Sequence, residues 1–140
     1  MDYKNAEGYA DPTPYEAIRR IAREEKKFRP LVYSCAPFAG DVETNAERTR
    51  RFCRYAVDSG RIPLAPHLMF PQFMDDDKPK ERALALFMDT VLMSKCRELW
   101  VLADVITAGM RLEIDTAERR GQSIRYFNDW NGRYEEVRMT

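Results

Sequence analysis

The sequence is poor in the groups most often used for catalysis and metal binding. It has one histidine, His67, and three cysteines, Cys35, Cys53 and Cys96. A Cys/His zinc site and a serine–histidine triad are both hard to build from that inventory. The cysteines are odd in number, widely spaced and set in apolar contexts. They read as reduced, packed thiols of a cytoplasmic protein, which excludes a disulfide framework. There is no excess charge of either sign, with Lys+Arg and Asp+Glu both at 23, so no nucleic acid or anionic membrane partner is expected. No apolar run approaches the ~20 residues of a membrane span. The opening "MDYKNAEGYA" is polar and mixed in charge, unlike a signal peptide. Neither G-x-G-x-x-G nor a P-loop is present, so the fingerprints of dinucleotide and triphosphate binding are missing and no cofactor is expected. The acidic "MDDDKP" reads as a solvated loop, because three consecutive acids cannot all face one ion, and no metal site is expected.

What is present fits one globular domain. The 140 residues are 44% hydrophobic, enough for one sheet and its covering helices. Residues 1–12 read as a flexible N-terminal arm and residues 13–140 as a single domain. Thr13, Pro14 and Glu16 form a capping-box pattern that opens a helix over about Pro14 to Lys27, with Tyr15, Ile18, Ile21 and Ala22 as its apolar stripe. "PLVYSC" (Pro30 to Cys35) is short and almost wholly apolar, as a buried parallel strand should be. Asp41 caps a second helix that ends at Gly60. "RIPLAP" is a second strand, and "HLMFPQFMDDDKP" reads as a loop. "KERALALFMDTVLMSKC" is the most apolar helix, "ELWVLA" a third strand, "GMRLEIDTAERRG" a fourth helix and "SIRYF" a fourth strand. "NDWNGRYEEV" has Asn131-Gly132 between strand-like flanks, the pattern of a hairpin or edge strand. Strands alternating with helices imply a parallel sheet covered on both faces. With right-handed crossovers the expected class is α/β, a flavodoxin-like (Rossmann-like) three-layer fold of strand order 2-1-3-4. The helix around Ala83 to Met93 is apolar on more faces than one sheet can cover, which predicts a homodimer or larger homo-oligomer.

Two carboxylates are oddly placed for such a fold. Glu113 edges an apolar stripe made by Met110, Ile114 and Ala117, near a helix N-terminus. It serves either the helix dipole or a ligand at the strand ends. Asp89 lies among Ala85, Leu92, Met93 and Cys96, where an unpaired carboxylate is costly. It needs a salt bridge, for example to Arg82, or a raised pKa, or an opening onto a cavity. The loop "SCAPFAGD" ends at a helix N-terminus whose free N–H groups suit a phosphate or a sugar hydroxyl, or simply make a strand-to-helix turn. Ser34, Ala36, Pro37, Phe38 and Gly40 are its candidate binding residues, with Asn45 one turn into the helix. His67, beside Met69, Phe70 and Phe73, suits a wall for a flat base, or packing of a loop on the core. Gly109 and Met110 join the candidate site beyond the end of the third strand.

"VYSCAPFAGDVETNAERTRRFCRYAVDSGRIPLAPHLMFPQF" together with "SKCRELWVLADVITAGMRLEIDTAERRG" resembles a group of small proteins of phages and mobile elements. That group is similar to the nucleoside 2-deoxyribosyltransferases and the deoxynucleoside-monophosphate N-glycosidases. The resemblance covers about Pro30 to Phe127. It implies a small-molecule nucleoside or nucleotide as substrate and retaining N-glycosidic chemistry. It places Glu113 as the nucleophile that attacks the anomeric carbon, Asp89 as the acid that aids departure of the base, and the loop from Ser34 to Gly40 beside sugar and base. The tail "NDWNGRYEEVRMT" does not match the C-terminal regions with which some relatives complete a neighbouring subunit's site. A nucleotide-binding protein without turnover, sensing or sequestering its ligand, is the alternative that uses the same cleft.

Overall fold

The computed structural model describes residues 13–24 and 28–139. The expected N-terminal arm, and the end of the first helix at residues 25–27, lie outside the described residues. The remainder is α1 (Thr13–Glu24), β1 (Leu31–Cys35), α2 (Val42–Asp58), β2 (Ile62–Leu64), α3 (Pro66–Met69), a 3-10 turn (Phe70–Gln72), α4 (Pro79–Ser94), β3 (Glu98–Leu102), α5 (Ala108–Arg119), β4 (Ser123–Trp130) and β5 (Arg133–Val137). No described helix is long and apolar enough to cross a membrane.

The fold is mixed α/β, with one five-stranded sheet of order β2-β1-β3-β4-β5. The first four strands are parallel neighbours, as the alternation of strands and helices predicts. The four-stranded parallel order 2-1-3-4 expected from the sequence is extended at its far edge, where β5 runs antiparallel to β4 and makes the sheet mixed. The cause is local: Asn131 (φ 52°) and Gly132 (φ 88°) both adopt left-handed backbone. A two-residue turn with that pair of angles folds a strand straight back on its predecessor. Both outer strands are poor templates for further pairing: β2 has three residues with Pro63 in the middle, and β5 carries Arg133, Glu135 and Glu136.

Strand alternation divides the core into two halves. Tyr33, Cys35, Leu99 and Val101 face α4 and α5, where Met93, Cys96, Met110, Ile114 and Ala117 meet them. Val32, Ala36, Trp100 and Leu102 face the other way, onto Phe52 and Ala56 of α2 and onto Phe127. The three cysteines are all free thiols. In α4 the usual partition is inverted. Asp89 is buried, while Leu84, Leu86, Phe87 and Val91 are exposed on the single chain. The apolar stripe of α1 is exposed too, at Tyr15, Ile18 and Ile21.

Candidate functional site

β1 and β3 lie side by side, but the chain leaves them for opposite halves of the sheet. In such sheets the gap beyond the carboxyl ends of those two strands is where ligands bind. A cleft of about 220 Å³ opens there. Ala36, Phe38 and Ala39 line it from the loop after β1, and Thr107 to Met110 from the start of α5. His67, Phe70 and Pro71 come from the segment after β2, and Arg82, Ala85, Leu86 and Asp89 from α4.

Glu113 enters the cleft from α5. Thr107 caps the helix, its Oγ1 accepting from the Met110 amide at 3.2 Å, while Met110 Sδ accepts from the Thr107 amide at 3.5 Å. With Ala108 as the first helical residue, Glu113 falls in the second turn, beyond the reach of the terminal dipole. It belongs to the buried stripe of Met110, Ile114 and Ala117. The dipole therefore does not account for this carboxylate. Its Oε1 accepts from the Cys35 thiol at 3.6 Å and faces His67 Nε2 at 3.7 Å, too far for a hydrogen bond. Its Oε2 is buried without a partner, and so is Asp89 Oδ1. Asp89 has no ion pair with Arg82 or with any other described cation. Glu113, Asp89 and His67 each present one atom such that all three lie within 4.8 Å of one another. The sequence led us to expect no metal site, yet the tertiary fold gathers this candidate donor set from three separate helices.

The surroundings set the protonation of the cluster. Burial first, then the charges of Glu113 and Asp76, push Asp89 up to about 6 against the opposing pull of His67. Burial alone would lower the His67 pKa. The facing Glu113 carboxylate, with the charges of Asp89 and Asp76, outweighs it and the pKa is raised. Beneath them the Tyr33 hydroxyl is buried beside Glu113 without a formed hydrogen bond. Burial, then the charges of Glu113 and Asp89, raise its pKa far above the ordinary phenol range. Burial and then the Glu113 charge raise the Cys35 thiol in the same way.

These directions predict how stability depends on pH. Asp89 and His67 both hold protons more tightly folded than unfolded, so the native state binds more protons and stability falls as pH rises. For Asp89 the contribution is complete below 3.8 and is lost through about 6; for His67 the loss begins above 6.5. At the acid end Asp41 and Glu136, held low by Thr44 and Arg125 respectively, lose their contributions as they are protonated. Urea midpoints should be higher at about pH 5.5 than at about pH 8. Replacing Asp89 by Asn together with His67 by Gln should remove most of that difference.

Of the residues singled out by sequence, Glu113, Asp89, Ala36, Phe38, His67, Gly109 and Met110 line the one cleft. Four do not. Ser34 is turned by strand alternation to the opposite face, where its Oγ lies 3.6 Å from Cys53 Sγ. Pro37 is buried at the strand end, outside the cleft lining. Gly40 makes the turn into α2 with φ +96°. Asn45 braces the loop, its Nδ2 donating to the carbonyls of Phe38 at 3.3 Å and Ala39 at 3.0 Å. The aromatic partner of His67 also differs from expectation. Phe38 stacks on the imidazole with centroids 5.4 Å apart, while Phe73 and Met69 are exposed away from the cleft. Gly109 has no steric need to be glycine, since a Cβ would meet nothing nearer than Thr107 Oγ1 at 3.9 Å. Sequence reasoning missed Tyr33 and Cys35, whose alternation with Val32 and Ser34 was the available signal. It also missed Asp76, an exposed acid at the cleft mouth whose charge reaches the cluster.

Residues 30–127 match the model of a family described as a domain of unknown function, DUF7768. The chain belongs to the DUF7768 family. No curated protein matches it. The DUF7768 match runs from the residue before β1 to Phe127, so it spans β1, β2, β3, the first part of β4 and all three members of the cluster. The antiparallel β5 and helix α1 fall outside it.

Proposed function

We propose that the chain cleaves or transfers the N-glycosidic bond of a nucleoside or nucleotide, on a flavodoxin-like three-layer frame to which β5 is an addition. One observation carries the reading: two buried carboxylates, each with a free oxygen, converge in a cleft at the carboxyl ends of β1 and β3. Their closest oxygens lie within 4.8 Å, compatible with the ~5 Å spacing of retaining glycosidases. Glu113 Oε2 attacks C1′ of the sugar. The C1′–N bond breaks, its electron pair stays on the base, and Asp89 gives its proton to the departing nitrogen. A pKa of about 6 keeps Asp89 partly protonated near neutrality, as a general acid requires. Water or a second base then attacks C1′, breaking the glycosyl ester and freeing Glu113. Phe38 and Phe70 offer aromatic faces to the base. Asp75, Asp76 and Glu81 line the mouth against the single guanidinium of Arg82, which favours an uncharged nucleoside over a phosphorylated one. Self-association through the exposed apolar face of α4 belongs to the same reading.

The test is incubation with a panel of ribo- and deoxyribonucleosides and their monophosphates, with chromatography of released base. Release from deoxynucleosides above that from monophosphates is the expected result. Saturable binding with no base released from any member would sink the enzymatic reading and leave a nucleotide-sensing protein.

A further inference from the structure

The geometry points to a divalent transition-metal site formed by His67, Asp89 and Glu113, with zinc as the best-fitting ion. The three donors come from α3, α4 and α5, so the fold, and no local sequence run, creates the cluster. Asp89 and Glu113 are only 4% and 8% exposed, yet Asp89 Oδ1 and Glu113 Oε2 have no partner. Leaving such oxygens unpaired is costly, and a cation supplies what both lack. Two carboxylates balance the charge of a divalent ion, and the stacked Phe38 ring holds the imidazole plane. Donor atoms on a tetrahedral zinc stand about 3.3 Å apart, so spacings within 4.8 Å close by small side-chain adjustments. One imidazole among three donors suits zinc better than calcium or magnesium, which prefer six or more oxygens. All three residues line the cleft, so the site is open to ligand.

The site goes beyond the glycosidic reading and acts against it. A metal on Glu113 occupies the lone pair that attacks C1′, so bound zinc inhibits base release.

The experiment is titration of the chelator-treated full chain with zinc chloride by calorimetry. One zinc per chain is expected. His67→Ala, Asp89→Asn and Glu113→Gln should each weaken binding by at least about 10–100-fold, the loss seen even for partners one step removed from a metal. Asp77→Asn, an exposed acid nearby, should leave it unchanged. Zinc should raise the Tm of the parent chain but not of Glu113→Gln, whose near-identical shape preserves the fold. Binding well below one equivalent, or equal binding by parent, Asp89→Asn and Glu113→Gln chains, overturns the proposal. So does base release that persists at saturating zinc. A chain that takes one zinc through these residues but releases no base even when zinc-free supports the metal site while sinking the glycosidic reading.

Discussion

Replacing Glu113 by Gln is expected to abolish base release while the chain stays folded. The amide keeps the volume of the side chain within the stripe of Met110, Ile114 and Ala117 and removes the oxygen nucleophile. Loss of a covalent nucleophile acts on a scale of about 10⁴-fold or more, so turnover should fall below detection. The Tm should not fall, because the substitution takes away a buried carboxylate with an unpaired oxygen. Asp89→Asn should be slower by about 10²–10⁴-fold, the usual share of proton donation to a leaving group. In the parent chain base release should decline as pH rises through about 6, where Asp89 loses its proton, and Asp89→Asn should flatten that limb. Equal rates for parent and Glu113→Gln would refute a glutamate nucleophile.

Trp100→Ala is expected to be the most damaging single change to stability. Trp100 is 1% exposed at the centre of β3, between β1 and β4. Its ring lies 4.6 Å from Phe127 and 6.0 Å from Tyr55, centroid to centroid, with the Arg125 and Arg61 guanidinium groups at 5.0 and 5.4 Å. Its Nε1 donates to Glu98 Oε1 at 3.1 Å. Truncating a buried Trp to Ala costs about 3–5 kcal/mol, against a total of about 5–15 for an ordinary domain. Urea denaturation followed by far-UV circular dichroism should show a much lower midpoint at similar slope. Trp100 faces α2, on the side of the sheet away from Glu113 and Asp89. Activity per folded molecule should therefore survive. An unfolding free energy within about 1 kcal/mol of the parent would show that the aromatic cluster repacks.

The sequence carried the frame and the identity of the two acids, and it lost what depends on short or distant relations. β1, β3 and α5 were legible because apolar runs and stripes state their own burial, and Asn131-Gly132 announced its turn. α3 was not legible: four residues between prolines are too few to show a period, and the segment read as loop. That hid how His67 is held. Thr107 went unread as a cap because its partner at the third helical position is a methionine, whose sulfur replaces the usual Glu or Gln. From sequence Glu113 therefore stands near a helix N-terminus, with the dipole and a ligand as competing accounts of it. Asp89 was visible as an anomaly, but what resolves it was not. Its neighbours Glu113 and His67 lie on other helices, and no spacing rule relates them.

The two rims of the sheet bear on how the protein behaves at high concentration. A parallel sheet whose outermost strands were long, flat and apolar would recruit strands from other molecules and polymerise. Here one rim is three residues interrupted by Pro63, which has no amide hydrogen to offer a newcomer. At the other rim Arg133, Glu135 and Glu136 put charge where an added strand would lie, and Glu136 is already engaged by Arg125 at 2.7 and 2.9 Å. Strand-by-strand growth is thus blocked at both ends. The chain can carry exposed leucine and phenylalanine on α4 without the fibrillar aggregation that an unguarded rim would add to it.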